Sequence, residues 1–134
     1  GDGILGIGYD VLIENAIGGS NIDTILGNEA ANKLYGGSGA GVKDTFTGGL
    51  GADIFVCRIA DASTDLSVAD IVKDFSNGTD LIGLEDRSVA DLNWSNTSGG
   101  TQIMDTASGK VLFFLEGIDA ALIDENDFLV TDFV

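Results

Sequence analysis

Histidine and proline are both absent from this 134-residue chain, which has one cysteine and six basic residues against 22 acidic ones. Without histidine it can build neither a His-Glu-x-x-His zinc site nor a Ser-His-Asp triad, and it has no imidazole base. Without proline, its turns must be made by Gly, Asn and Asp. The single Cys57 excludes an internal disulfide and reads as a small buried hydrophobe at the end of a strand rather than a reactive thiol. A formal charge of -16 argues against nucleic acid and anionic membranes as partners, since both repel an acidic chain. No apolar run nears the roughly 20 residues of a spanning helix, and no N-terminal stretch has the form of a signal peptide. A secreted chain of this kind must carry its address elsewhere. The length fits one domain, or a repeat section fused to a cap.

What the chain has is glycine, 20 of them, and acids at fixed intervals. A carboxylate or its amide recurs at Glu14, Asp23, Asn32, Asp44 and Asp53, at steps of nine, nine, twelve and nine residues. Gly18-Gly19, Gly36-Gly37 and Gly48-Gly49 stand ahead of these rungs, with Gly27 in the matching place. Two residues beyond each rung lies an apolar side chain: Ala16, Ile25, Leu34, Phe46 and Phe55. Each unit is thus a six-residue turn closed by an acid, then three extended residues carrying one inward hydrophobe.

Two such units make eighteen residues, so successive turns fall on opposite sides of a flattened parallel solenoid, with equivalent turns stacked about 4.8 Å apart. Residues 1–57 hold seven acids against Lys33 and Lys43 alone, so stacked carboxylates lack protein cations to relieve them. A bound cation is expected there. Calcium takes about 6–8 oxygen ligands from carboxylates and carbonyls, and glycine turns leave their carbonyls uncovered. The unit Gly48-Gly49-Leu50-Gly51-Ala52-Asp53-Ile54-Phe55-Val56 fits the nonapeptide G-G-x-G-x-D-x-U-x without mismatch, the calcium-binding repeat of RTX proteins. The unit from Gly18 fits with Asn21 at the fourth position, and that from Gly27 has Asn28 and Asn32 as substitutes. The unit from Gly36 carries three extra residues, with Gly41-Val42-Lys43 as the expected bulge before Asp44.

The run from Ile13 to Ser20, then Gly27-Asn28 with Ala30 and Asn32, resembles the C-terminal β-roll domain of serralysin-type secreted zinc metalloproteases. Gly51-Ala52-Asp53-Ile54-Phe55-Val56, Asp70-Ile71-Val72-Lys73-Asp74-Phe75, Gly78-Thr79-Asp80-Leu81-Ile82 and Asp127-Phe128-Leu129-Val130 fall in that family's order. The resemblance implies calcium bound by the side chains of Glu14, Asp23, Asn32, Asp44 and Asp53. It also implies ligands from the carbonyls of Leu12, Gly19, Asn21, Asn28, Ala30, Gly37, Gly39, Gly49 and Gly51. Asp61 and Asp70 match the acids with which family members close the ladder. Three or four ions are expected.

The same resemblance implies a secreted, extracellular protein that leaves a Gram-negative cell through a type I exporter. That exporter reads an uncleaved C-terminal signal, matched here by Asp127-Phe128-Leu129-Val130 and Asp132-Phe133-Val134. An ordinary last strand is the plainer reading of those residues, and the two are compatible. The start at Gly1-Asp2-Gly3, without an initiator methionine, suggests a fragment whose catalytic or adhesive parent domain precedes it. The chain itself is expected not to be an enzyme. The alternative function is an adhesion or polysaccharide-binding module, for which Lys33, Tyr35 and Lys43 are the available surface residues.

From about Arg58 glycine thins and the nine-residue period is lost. The expectation is therefore all-β: a parallel β-roll over residues 1–57, then an antiparallel β cap with short helices over 58–134, forming one structural domain. Paired strands are expected at 71–75 with 81–84, around Ser76-Asn77-Gly78-Thr79, and at 101–104 with 111–115. Short helices are expected near 88–92 and 120–123. Phe75, Leu84, Trp94, Ile103, Phe113, Leu115, Leu122 and Phe128 are the expected cap core, and Asp124, Glu125 and Asp127 read either as another cation site or, more plainly, as a solvated acidic turn.

Overall fold

The computed structural model describes residues 3–6, 15–39 and 41–131. Among these the chain is all-β, with five single-turn 3-10 helices and no α-helix. The first six strands are β1 (Gly3–Gly6), β2 (Asn15–Ile17), β3 (Asp23–Leu26), β4 (Lys33–Tyr35), β5 (Thr45–Thr47) and β6 (Ile54–Cys57). They are followed by β7 (Ile71–Val72), β8 (Leu81–Leu84), β9 (Leu92–Thr97), β10 (Gly100–Asp105), β11 (Val111–Glu116) and β12 (Phe128–Val130). The early strands are three or four residues long because each is bounded by a glycine-rich turn that uses up the rest of its unit.

Odd and even strands part into two sheets. One runs β1-β3-β5-β7-β11-β10-β9, the other β12-β8-β6-β4-β2. Pairing from β1 through β8 is parallel throughout. Side chains of a strand alternate between its two faces, so in-register parallel pairing stacks like positions into columns. Ala16, Leu34, Phe55 and Ile82 form one column, and Ile25, Phe46, Val72 and Leu115 the other. All eight are buried. Phe46 joins the columns, edge-on to Phe55 at 6.1 Å and to Phe113 at 5.6 Å between centroids. Replacing either fully buried ring by alanine costs about 3–5 kcal/mol.

Ala16 aligns with Leu34, eighteen positions apart, as the nine-residue period requires. Ile25 aligns with Phe46 and Leu34 with Phe55, each twenty-one apart, so the turn absorbs the three extra residues and the hydrophobes stay in register. Gly41, at φ 80, makes the left-handed bend there.

The expected antiparallel pairing of 71–75 with 81–84 is not what forms. β7 lies beside β5 in one sheet and β8 beside β6 in the other, both parallel. Val72 and Ile82 thereby extend the two columns, burying more apolar surface than an isolated hairpin offers. The segment 76–79 is a turn between sheets, closed by Asp80 N–H donating to the Ser76 carbonyl at 2.8 Å.

Antiparallel pairing begins only with β9, β10 and β11. β9 was absent from the sequence expectation, because Leu-Asn-Trp-Ser-Asn-Thr is a largely polar edge strand. The expected helices appear as 3-10 turns, Val89–Asp91 and Ala120–Leu122. Leu122, expected in the core, is 54% exposed, because its turn presents it outward while Ile123 takes the buried place. Trp94 stacks on Phe128 at 5.1 Å and donates its indole N–H to the Ile123 carbonyl at 3.1 Å, so it serves packing. β12 runs parallel to β8 and covers that sheet's end. Cys57 is buried and unpaired.

Candidate metal centre

The acid of each repeat stands two residues before its inward hydrophobe, and the in-register columns therefore stack the acids as well. One row is Asp23, Asp44 and Asp70; the other is Asn32, Asp53 and Asp80. The rows are held by side chain to backbone bonds between neighbouring turns. Asp23 N–H donates to Asp44 Oδ1 and Asp44 N–H to Asp70 Oδ1, each at 2.9 Å. In the second row Asn32 N–H donates to Asp53 Oδ1 at 2.8 Å and Asp53 N–H to Asp80 Oδ1 at 2.9 Å. One oxygen of each later acid thus pins the turn before it, and the ladder continues at Ile59, whose N–H donates to Asp86 at 2.8 Å.

The second carboxylate oxygen of Asp23 and Asp80, and the single amide oxygen of Asn32, face their own turns. Gly19 N–H donates to Asp23 Oδ2, Asn28 N–H to Asn32 Oδ1 and Ser76 N–H to Asp80 Oδ2, always from four residues before the acid. Around these bonds the glycine turns are packed backbone on backbone. A Cβ on Gly37, Gly49 or Gly51 would come within 3 Å of the carbonyls of Gly19, Asn28 and Ala30 respectively, and one on Gly39 would reach the Ser20 carbonyl at 3.0 Å. Three of these carbonyl positions, Gly19, Asn28 and Ala30, are expected ligands from the sequence, and the stacking brings them against glycines expected with them; Ser20 is not among the expected ligands. Asn21 lies exposed at its turn.

Other expected ligands fall differently. Asp61 is outside the backbone ladder: it takes Arg58 Nε at 2.9 Å and the Tyr35 hydroxyl, with the Arg58 guanidinium 5.1 Å over the Tyr35 ring. Its charge still bears on Asp44 and Asp70. Glu14 and Leu12 lie outside the described residues. Asp74, Asp80 and Asp86 were not singled out. Asp80 had a signal in its place two residues before Ile82, whereas Asp74 and Asp86 had none.

These carboxylates are electrostatically uncomfortable. Burial pushes Asp44 up to about 6, with the charges of Asp23 and Asp61 adding to it. Burial likewise pushes Asp53 up to about 7, helped by Asp80 and Asp74. Asp70 rises to about 8, by burial and then by Asp44 and Asp61. Asp80 is raised by burial too. Among the described residues the ion pairs join Arg58 to Asp61 and Glu85, Lys73 to Glu116, and Arg87 to Asp105, and none reaches either row. Asp53 Oδ2 is buried without a hydrogen-bond partner.

Hard oxygen donors, crowded carbonyls and an orphaned carboxylate oxygen suit a hard divalent cation. Among the described residues no three acids or cysteines converge on one point, so such a site draws on main-chain carbonyls as well as carboxylates. The model of the peptidase M10 serralysin C-terminal family matches residues 2–113. The chain belongs to the serralysin C-terminal family. This family is the non-catalytic repeat region of its proteins, and its RTX repeats are known for calcium binding. No curated protein sequence matches the chain. Among solved structures it is similar to the solution structure of the AlgE6R3 subunit from the Azotobacter vinelandii mannuronan C5-epimerase. That similarity has 22% identity, covers 96% of this chain and 77% of that one, and has a TM-score of 0.44.

Proposed function

We propose that this serralysin C-terminal chain is a calcium-binding β-roll solenoid with an antiparallel cap, which folds on binding calcium outside the cell. In this role it stabilises a secreted parent protein, a serralysin-like metalloprotease, and supports its export. The observation that carries the reading is the pair of acid rows, in which Asp44, Asp53, Asp70 and Asp80 are raised in proton affinity and, among the described residues, no ion pair reaches either row. A ligand that binds only the folded form stabilises it by mass action, and a divalent cation supplies the positive charge these rows lack. The side chains of Asp23, Asn32, Asp44, Asp53 and Asp70 would hold three or four ions together with the carbonyls of Gly19, Asn21, Asn28, Ala30, Gly37, Gly39, Gly49 and Gly51, while Asp61, expected with them, is held by Arg58 and Tyr35. Glu14 and Leu12 complete the assignment.

Export through a type I exporter is assigned to the C-terminal segment around Asp127-Phe128-Leu129-Val130. The polysaccharide-binding alternative has less surface to use. Tyr35 is 8% exposed and bonded to Asp61, and Lys33 donates to Thr131 Oγ1 at 2.9 Å.

The test is a calcium titration of the chelator-stripped chain followed by far-ultraviolet circular dichroism, with magnesium as control. A cooperative gain of β-structure with calcium alone is expected. A spectrum already folded and unmoved by calcium, with no heat of binding, would overturn the reading.

A further inference from the structure

Four turns place an N–H donor four residues before the acid or amide of the second or first row, and three of them use it alike. Gly19, Asn28 and Ser76 each donate to the side chain of their own turn, at Asp23, Asn32 and Asp80. The fourth does not. Gly49 donates to Asp74 Oδ2 at 2.9 Å, while Gly48 donates to Asp74 Oδ1 at 2.8 Å. Asp74 is 25 residues further on and lies just past β7, so its carboxylate spans the two amides of the Gly48-Gly49 turn from the neighbouring strand connection. The consequence appears at Asp53. Its Oδ1 accepts from Asn32, but its Oδ2 has lost the donor that the other turns supply, and it is buried and unpartnered in a residue 1% exposed.

We infer that Asp74 is a positioning residue that, by holding the Gly49 N–H, keeps Asp53 Oδ2 open to a divalent cation. Its own carboxylate is occupied by two amides, so it acts through the turn rather than as a ligand. In the other three turns the equivalent oxygen already accepts an internal hydrogen bond, which draws on its charge and fixes its direction; at Asp53 no such bond competes with a cation. Of these four turns, that of Asp53 is therefore the one where calcium binds with the least rearrangement. This inference rests on the calcium-binding reading above.

The experiment is a calorimetric calcium titration of the whole chelator-stripped chain, run as a double-mutant cycle with Asp74→Ala and Asp53→Asn. In Asp74→Ala the Gly49 N–H is freed to turn to Asp53 Oδ2, as in the other turns. The tightest binding step is then expected to weaken about 10–100-fold, as for other residues that orient metal ligands. In the Asp53→Asn background the same Asp74→Ala change is expected to have little further effect, because the oxygen it protects is gone. An equal loss in both backgrounds would mean that Asp74 contributes only its charge or its packing, and would overturn the inference, as would an unchanged affinity in Asp74→Ala alone.

Circular dichroism at saturating calcium checks that each variant folds. Where alanine prevents folding, Asp74→Asn, which keeps one accepting oxygen, carries the same cycle with a smaller expected drop and the same overturning result. A wild-type chain that binds no calcium would defeat the calcium-binding reading itself and the inference with it, whereas calcium binding with an additive cycle defeats the inference alone.

Discussion

The parallel and antiparallel regions use the same residue, aspartate, in opposite ways. In the parallel stack Asp44, Asp53 and Asp80 are buried and Asp70 half-buried against backbone amides and one another, and all four are raised in proton affinity. Outside the two rows Asp65, Asp105 and Asp119 are lowered. Asp65 and Asp119 accept from nearby N–H and hydroxyl or amide groups, and Asp105 from Ser108 and from Arg87 at 3.1 Å. The later region satisfies its charges with its own donors. The stack does not: among the described residues no ion pair reaches either row, and Asp53 Oδ2 is buried without a hydrogen-bond partner.

The largest expected effect that separates the regions comes from chelation. With calcium removed, hydrogen exchange should accelerate at Ile25, Leu34, Phe46 and Phe55, while amides of β9, β10 and β11 keep more of their protection. Uniform loss of protection across the chain would abolish the distinction between the regions.

Single substitutions sharpen it. Asp53→Ala should raise the calcium needed for folding more than Asp44→Ala does, about tenfold or more for a site that loses a ligand. A reversed order in a folding titration would show that the Asp44 row dominates. Asp105→Ala should instead cost about 1–3 kcal/mol in urea unfolding, by stranding Arg87 and the Ser108 groups, and leave the calcium midpoint unmoved.

The pH dependence should also divide. Asp44, Asp53 and Asp70 have folded values of about 6, 7 and 8, above the roughly 4 of an unfolded aspartate. The folded calcium-free chain therefore binds more protons than the unfolded one between about pH 4 and 8, and its stability should rise as pH falls through that window. Asp105 has the opposite sign, with stability present above its unfolded value and lost as pH falls through its lowered folded value. Because metal ligands must be deprotonated, the calcium midpoint should rise as pH falls. Urea midpoints across pH, with and without calcium, test both signs. The smallest expected effect is that of Val130→Ser: at 65% exposure it should shift stability by less than about 0.5 kcal/mol. A fall in export for that variant would separate signal from packing.

Where the period was kept, the sequence was legible: Ala16, Ile25, Leu34, Phe46 and Phe55 are all buried, and Asp23, Asn32, Asp44 and Asp53 stack as the spacing requires. Legibility ended where loops lengthened. Asp44 and Asp70 stand 26 positions apart and Asp53 and Asp80 stand 27 apart, so Asp80 was hidden although its relation to Ile82 repeats that of Asp53 to Phe55. Asp61 sat near the expected phase, yet the local Arg58 and the Tyr35 hydroxyl claim it. The Asn-Gly at 77–78 looked like a hairpin turn because a turn motif names its own backbone bend, not the sheets it connects. Asp74 was invisible for a related reason: its effect is a hydrogen bond withheld from another residue, and spacing does not record that.

The strand order carries a consequence for length. β1 and β2 are the outermost strands at one end of the described sheets, and each strand from β3 to β8 is laid beside the one two before it. Among the described residues nothing that follows threads back past that end. Units could be added or trimmed there two at a time without rerouting any described connection, so the number of repeats behaves as a dial on size and on the length of the acid rows, while the far end, with β12 and β9, stays fixed.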